Sequence, residues 1–204
     1  MALFRRQNDS ATAPTAPVDP ALATLTGEYT VDQAHSSIGF SVRHAMVTNV
    51  RGSFTQHEGT LYLDGTNPEN STASIDVVMA SIDTGDSGRD ADLRGANFFD
   101  TEQFPAMTFR STSTEAVGTD TYRVSGDLTI KGDTRPLSIT LTYNGTATDP
   151  FGNERVGFEG SAEIARSDWG LTYNAALETG GVLISDKVKL NFEISAIKNA
   201  PQAA

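Results

Sequence analysis

The chain is governed by a period of two. In the stretch His35–Phe54, Ile38, Phe40 and Val42 fall on one side of the backbone and Ser37, Gly39, Ser41 and Arg43 on the other. Successive side chains of a strand point to opposite faces, so this pattern belongs to a strand that is dry on one side and wet on the other. The rhythm breaks at His44-Ala45-Met46 and resumes at Val50, which predicts a bend between two strands. Gly52 lies early in the second strand, where a missing side chain permits a kink or a close backbone approach.

The same alternation returns to the end of the chain. Tyr29–Val31 reads as a short strand. Within Val50–Leu63 the parity shifts between Phe54 and Leu61, and Gly59 predicts a bulge. Ala73, Ile75, Val77 and Met79 alternate next, then Met107 and Phe109, then Tyr122, Val124, Leu128 and Ile130. Lys131-Gly132-Asp133 is a hairpin signal. Its partner strand carries Leu137, Ile139, Leu141 and Tyr143; Val156, Phe158, Ala162 and Ile164 follow, and Val188, Leu190, Phe192 and Ile194 come last. Only residues 84–103 break the rhythm at length. There Asp86 or Ser87 caps a short helix that carries Leu93 and Ala96 inward, and Phe98 and Phe99 return the chain to the core. Ser167-Asp168-Trp169-Gly170 reads as a single helical turn capped by Ser167 or Asp168.

About eight long strands in meandering order pair with their neighbours. Closing such a sheet removes its edges. An all-β, antiparallel, eight-stranded barrel with one short helical insertion is therefore expected; strands longer than usual favour it over a sandwich. The barrel is assigned to residues 28–198. Residues 1–27, rich in Ala, Thr and Pro with Pro14, Pro17 and Pro20 at spacing three, are expected to be a disordered arm, and residues 199–204 a frayed tail.

Bulk properties exclude several classes. The net charge of −11 and isoelectric point near 4.6 argue against nucleic acid or an anionic membrane as partner. No apolar run approaches a membrane span, so stable insertion is not expected. The chain has no cysteine, hence no disulfide and no thiol chemistry. Arg5 and Arg6 are followed by Gln7, Asn8 and Asp9 rather than an apolar stretch, so the start does not read as a signal peptide and a cytoplasmic location is expected.

Three motifs lose their functional reading on context. Gly85-Asp86-Ser87-Gly88 matches the nucleophile region of chymotrypsin-like proteases, yet Arg89-Asp90 follows it and no histidine lies in a matching context. Asp83, Asp86, Asp90 and Asp92 lack calcium-loop spacing. His35, His44 and His57 lack the spacing that aims zinc ligands, and are expected to be hydrogen-bonded structural residues. No metal site is assigned. The inward positions are almost entirely apolar, and nine of the ten phenylalanines lie between Phe40 and Phe192. That composition suits a core or an elongated apolar guest rather than carboxylate-pair chemistry.

Several stretches together resemble the YceI-like family of polyisoprenoid-binding, lipocalin-like proteins. They are Asp32–His44 (DQAHSSIGFSVRH), Val50–Phe54, Arg89-Asp90 with Leu93, Phe98-Phe99-Asp100 and Phe104-Pro105. Gly126–Gly132 with Thr134-Arg135-Pro136, Ile164–Gly170 and Ser185–Leu190 complete a set in family order over about residues 28–198. One departure is Asp92, where the family usually has histidine.

The resemblance implies a lipocalin-like barrel extended in height, with a long isoprenoid quinone or polyprenyl alcohol or phosphate inside, as carrier or store. It implies no enzyme and no cofactor beyond the bound lipid; an enzyme acting on the lipid head group is the alternative. Family members are often exported. A homodimer is left open. The apolar cavity is expected to be built by Phe40, Val42, Phe54, Ile75, Val77, Phe98, Met107, Phe109, Leu128, Ile130, Ile139, Leu141, Phe158, Trp169, Leu190 and Phe192. His44, Arg89 and Asp168 are expected as head-group contacts or structural ties.

Overall fold

Strand pairing closes on itself. The structure is a computed structural model that describes residues 20–178 and 180–200. Its strands are β1 (Gly27–Val31), β2 (Ser37–His44), β3 (Thr48–Phe54), β4 (His57–Leu63), β5 (Thr72–Val78) and β6 (Ile82–Asp83). Then come β7 (Ala106–Ala116), β8 (Thr121–Ile130), β9 (Asp133–Thr148), β10 (Glu154–Ala165) and β11 (Ile184–Lys198). The antiparallel ring runs β1-β4-β5-β7-β8-β9-β10-β11 and returns to β1, an eight-stranded barrel.

The remaining strands β2, β3 and β6 carry the wall upward. β11 pairs with β1 through Ala196–Lys198 and with β2 through Ile184–Glu193. The chain from β1 to β2 is thus one long strand, broken at Gln33–His35 by a 3-10 turn whose cap is the Asp32 carboxylate on the Ala34 N–H. β4 and β3 break in step at Thr55-Gln56, and β5 and β6 at Met79–Ser81. The parity shift expected as a bulge at Gly59 is this break: Gly59 pairs regularly with Ile75. Gly59 is needed instead for space, since a Cβ there would lie 2.4 Å from Ile75 Cδ1. Bulges fall in β7 at Thr112 and in β9 at Asn144, opposite the Gly157–Phe158 step of β10.

β6 pairs only with β3, and the insertion packs against it. Helix α2 (Ser87–Arg94; α1 is the turn Pro20–Ala23) starts on Asp86, whose carboxylate accepts from the Arg89 N–H. Arg94 donates to the carbonyls of Ala80 and Ile82 and fixes the helix to the break. Leu93 and Phe99 pack inward, whereas Ala96, expected inward, is exposed because the helix ends at Gly95.

The turn Arg166–Trp169 has no side-chain cap: the Ser167 hydroxyl donates to Asp186, and the 3-10 turn closes on Gly170 in the left-handed region at φ 69°. The Lys131-Gly132 hairpin forms as expected, with both residues at positive φ. The arm expected over 1–27 is described from residue 20, where it is the turn α1 followed by a buried Leu25.

Candidate functional site: an apolar chamber in the lower barrel

Inward parity decides which side of the wall a residue faces, but height decides whether it meets space. In the upper part the barrel is solid. Met79 and Ile82 are fully buried there, with Ile130, Trp169, Leu93 and Phe99 around them. Each such side chain contributes roughly 1.5–3 kcal/mol. The Trp169 indole N–H donates to the Leu128 carbonyl at 3.2 Å and joins the turn after β10 to β8. Gly52 lets the Phe40 ring lie against the wall, where a Cβ would come within 2.6 Å of it.

Below this plug the interior opens. The chamber has about 160 Å³ of room for the centres of water molecules, within about 1410 Å³ of atom-free space that includes its open mouth. Phe54, Leu128, Leu137 and Leu190 lie toward the plug, and Leu22, Leu25, Leu63 and Pro68 toward the mouth.

Of the sixteen apolar residues expected around a guest, the chamber gathers eleven. These are Phe54, Ile75, Val77, Met107, Phe109, Leu128, Ile139, Leu141, Phe158, Leu190 and Phe192. Phe40 packs on Phe54 at 5.9 Å between ring centroids, and Ile130 and Trp169 belong to the plug. Val42 pairs with Val50 and Val188 high on the wall, and Phe98 packs on Tyr173 with the rings tilted and their centroids 5.1 Å apart. None of these five lines the chamber.

The three polar residues expected as head-group contacts or structural ties lie away from the chamber, and Arg89 forms a structural tie. His44 ends β2 at the upper hairpin, Arg89 donates to the Thr84 hydroxyl and carbonyl, and Asp168 is exposed with its carbonyl accepting from Arg135. None lines the chamber. His35 is hydrogen-bonded to Asp32 at 2.7 Å. His57 corrects the expectation of a satisfied histidine: it is buried, and neither ring nitrogen has a partner among the described residues.

Sequence reasoning missed the mouth. Leu22 and Leu25 come from the segment read as arm. Three contacts hold that segment down: Tyr29 Oη donates to the Leu25 carbonyl, Lys198 Nζ to the Thr24 carbonyl, and the Gly65 N–H to Thr26 Oγ1. Asp64, Thr114, Tyr122 and Tyr143 supply polar groups at this end. Tyr122 and Tyr143 were legible as inward positions of alternating strands. Thr114 gave no apolar signal and is read only after the β7 bulge resets parity.

Burial, then the nearby Glu154 and Tyr143, pushes the Tyr29 phenol up to about 12. Burial, then Asp120 and Tyr143, raises Tyr122. Hydrogen bonds from Asn70 and Thr66 lead the effects that hold Asp64 well below the usual carboxylate range.

A closed antiparallel wall, one solid end and one apolar chamber define a calyx-type β-barrel. The chain belongs to the YceI-like family, whose domain pattern matches residues 29–196. It is 38% identical over 170 residues to a UPF0312 protein of Staphylococcus epidermidis, covering 83% of this chain and 95% of that one. A YCEI protein of Campylobacter jejuni of known structure is 28% identical with a TM-score of 0.67, over 83% of this chain and 96% of that one. A polyisoprenoid binding domain from Saccharophagus degradans shares the fold at 19% identity, TM-score 0.64, over 84% of this chain and 98% of that one. Among the described residues no helix is long and apolar enough to cross a membrane.

Proposed function

We propose that this protein binds a long-chain polyisoprenoid in the lower barrel and acts as its carrier or store. One observation carries the reading: a barrel wall of apolar side chains encloses a chamber that is closed at its upper end by the packed plug. A water-filled chamber of that composition is unfavourable, whereas an apolar guest gains roughly 0.8 kcal/mol per buried methylene. The fold neighbour from Saccharophagus degradans, described as a polyisoprenoid binding domain, agrees with this reading.

Binding is favoured over chemistry on the lipid. The one carboxylate on the chamber wall among the described residues, Asp64, spends its oxygens on the Thr66, Asn67 and Asn70 donors of its own loop. No base stands beside a nucleophile there.

Two arginine substitutions test the reading. Leu141 lines the chamber, whereas Ile130 is 3% exposed in the plug and does not. Leu141→Arg should fold and lose its lipid, because water entering the emptied chamber hydrates the charge. Ile130→Arg has no such relief and should not fold, at a desolvation cost of several kcal/mol. A folded Leu141→Arg that retains the lipid contradicts the proposal.

A further inference from the structure

Among the described residues, every ionisable side chain on the chamber wall is an acid, namely Asp64, Tyr122 and Tyr143, and no lysine, arginine or histidine lines it. The Asp64 carboxylate accepts from the Thr66 N–H at 3.0 Å, the Thr66 hydroxyl at 2.7 Å, the Asn67 N–H at 2.9 Å and Asn70 Nδ2 at 2.9 Å. Four donors to one carboxylate keep it charged.

The cations on the strands around the mouth are occupied. Lys198 Nζ lies 2.7 Å from the Thr24 carbonyl and 3.6 Å from Glu154. Arg155 is held by Asp32 and Asp149, and Arg123 by Glu115.

Phosphate recognition needs a guanidinium or ammonium, or converging backbone N–H groups. The rim offers a fixed negative charge instead. It also offers two phenols, on one inward-facing row: Tyr122 stands opposite Leu141, and Tyr143 lies two residues further along β9. Both phenols are half-buried on that row. A neutral phenol donates to an oxygen acceptor without needing a counter-charge.

We propose that the chamber selects isoprenoid lipids whose head is a neutral oxygen group, a hydroxyl or a quinone carbonyl, and discriminates against those that end in phosphate. This rests on the polyisoprenoid reading above and deepens it. The tail supplies affinity common to both kinds of lipid; the rim sets the difference between them. A carboxylate near the head acts on a phosphate and leaves an alcohol untouched.

The test compares geranylgeraniol with geranylgeranyl phosphate, which share one tail, on delipidated full-length protein. Binding is read by competition for a bound fluorescent apolar probe. The alcohol should bind about tenfold more tightly at low salt, and the gap should narrow at high salt as the rim charge is screened. Asp64, whose carboxylate is the rim charge, provides the charge variant. Asp64→Asn should shift the ratio toward the phosphate. Equal or tighter binding of the phosphate by the unaltered protein overturns the proposal and leaves the polyisoprenoid reading standing. Failure of both lipids to displace the probe overturns that reading, and the head-group proposal with it.

Discussion

Arg155 Nη1 donates to Asp32 Oδ2 at 2.6 Å, across 123 residues of sequence. The same guanidinium reaches Asp149 Oδ2 at 2.8 Å through Nε, so one side chain joins the break between β1 and β2 to the β9–β10 hairpin. Its hydrogen bond is the largest effect lowering Asp32, with His35 and the Ala34 N–H adding to it. Asp149 is lowered chiefly by Asn153, with Arg155 contributing.

Both carboxylates have folded-state values below their unfolded ones. Their contribution is therefore complete above the unfolded value, near pH 4, and disappears as pH falls through the folded value. Arg155→Met should lower the melting temperature at neutral pH, and the gap to the unaltered protein should close below about pH 4. Melting curves from pH 7 to pH 2 check this; a constant gap over the whole range would assign the arginine's effect to packing.

His57 stands opposite Val77 on the row that includes Gly59 and Leu61. It is 5% exposed and unpartnered among the described residues. Removing a buried polar group that has no partner relieves its desolvation cost. His57→Leu should raise stability by about 1 kcal/mol in chemical denaturation. A loss of that size would mean that the imidazole carries a stabilising hydrogen bond.

Much of this wall could be read from the sequence, because one strand face faces one medium. Val188, Leu190, Phe192 and Ile194 alternate in sequence and lie side by side on β11 facing inward. Height could not be read in the same way. Ile130 and Leu128 have the same parity and differ by one pleat, yet Leu128 meets the chamber and Ile130 the plug. That difference is set by the breaks at Gln33–His35, Thr55-Gln56 and Met79–Ser81, which align only after the strands pair. Leu22 and Leu25 were hidden for another reason: the composition around them is that of an unstructured arm, and three hydrogen bonds, two of them long-range, hold the segment in place.

Those bonds give the end of the arm a structural role. Deleting residues 1–26 removes Leu25, which is 9% exposed, together with the acceptors for Tyr29 and Lys198. Loss of the Leu25 burial alone is worth about 2 kcal/mol, which corresponds to a melting temperature lower by about 5 °C. An apolar probe should also leave the chamber faster. An unchanged melting temperature and an unchanged release rate would show that the arm does not close the mouth.

The central claim is that the chamber holds a polyisoprenoid. A guest buried over most of its length binds only the folded barrel, raises its stability and should survive purification. Mass spectrometry of an organic extract of the freshly purified, full-length protein measures this directly. The account predicts lipids whose masses step by isoprene units, in near-stoichiometric amount and absent from an extract of Leu141→Arg. Straight-chain fatty acids in their place, or no lipid at all, would contradict it.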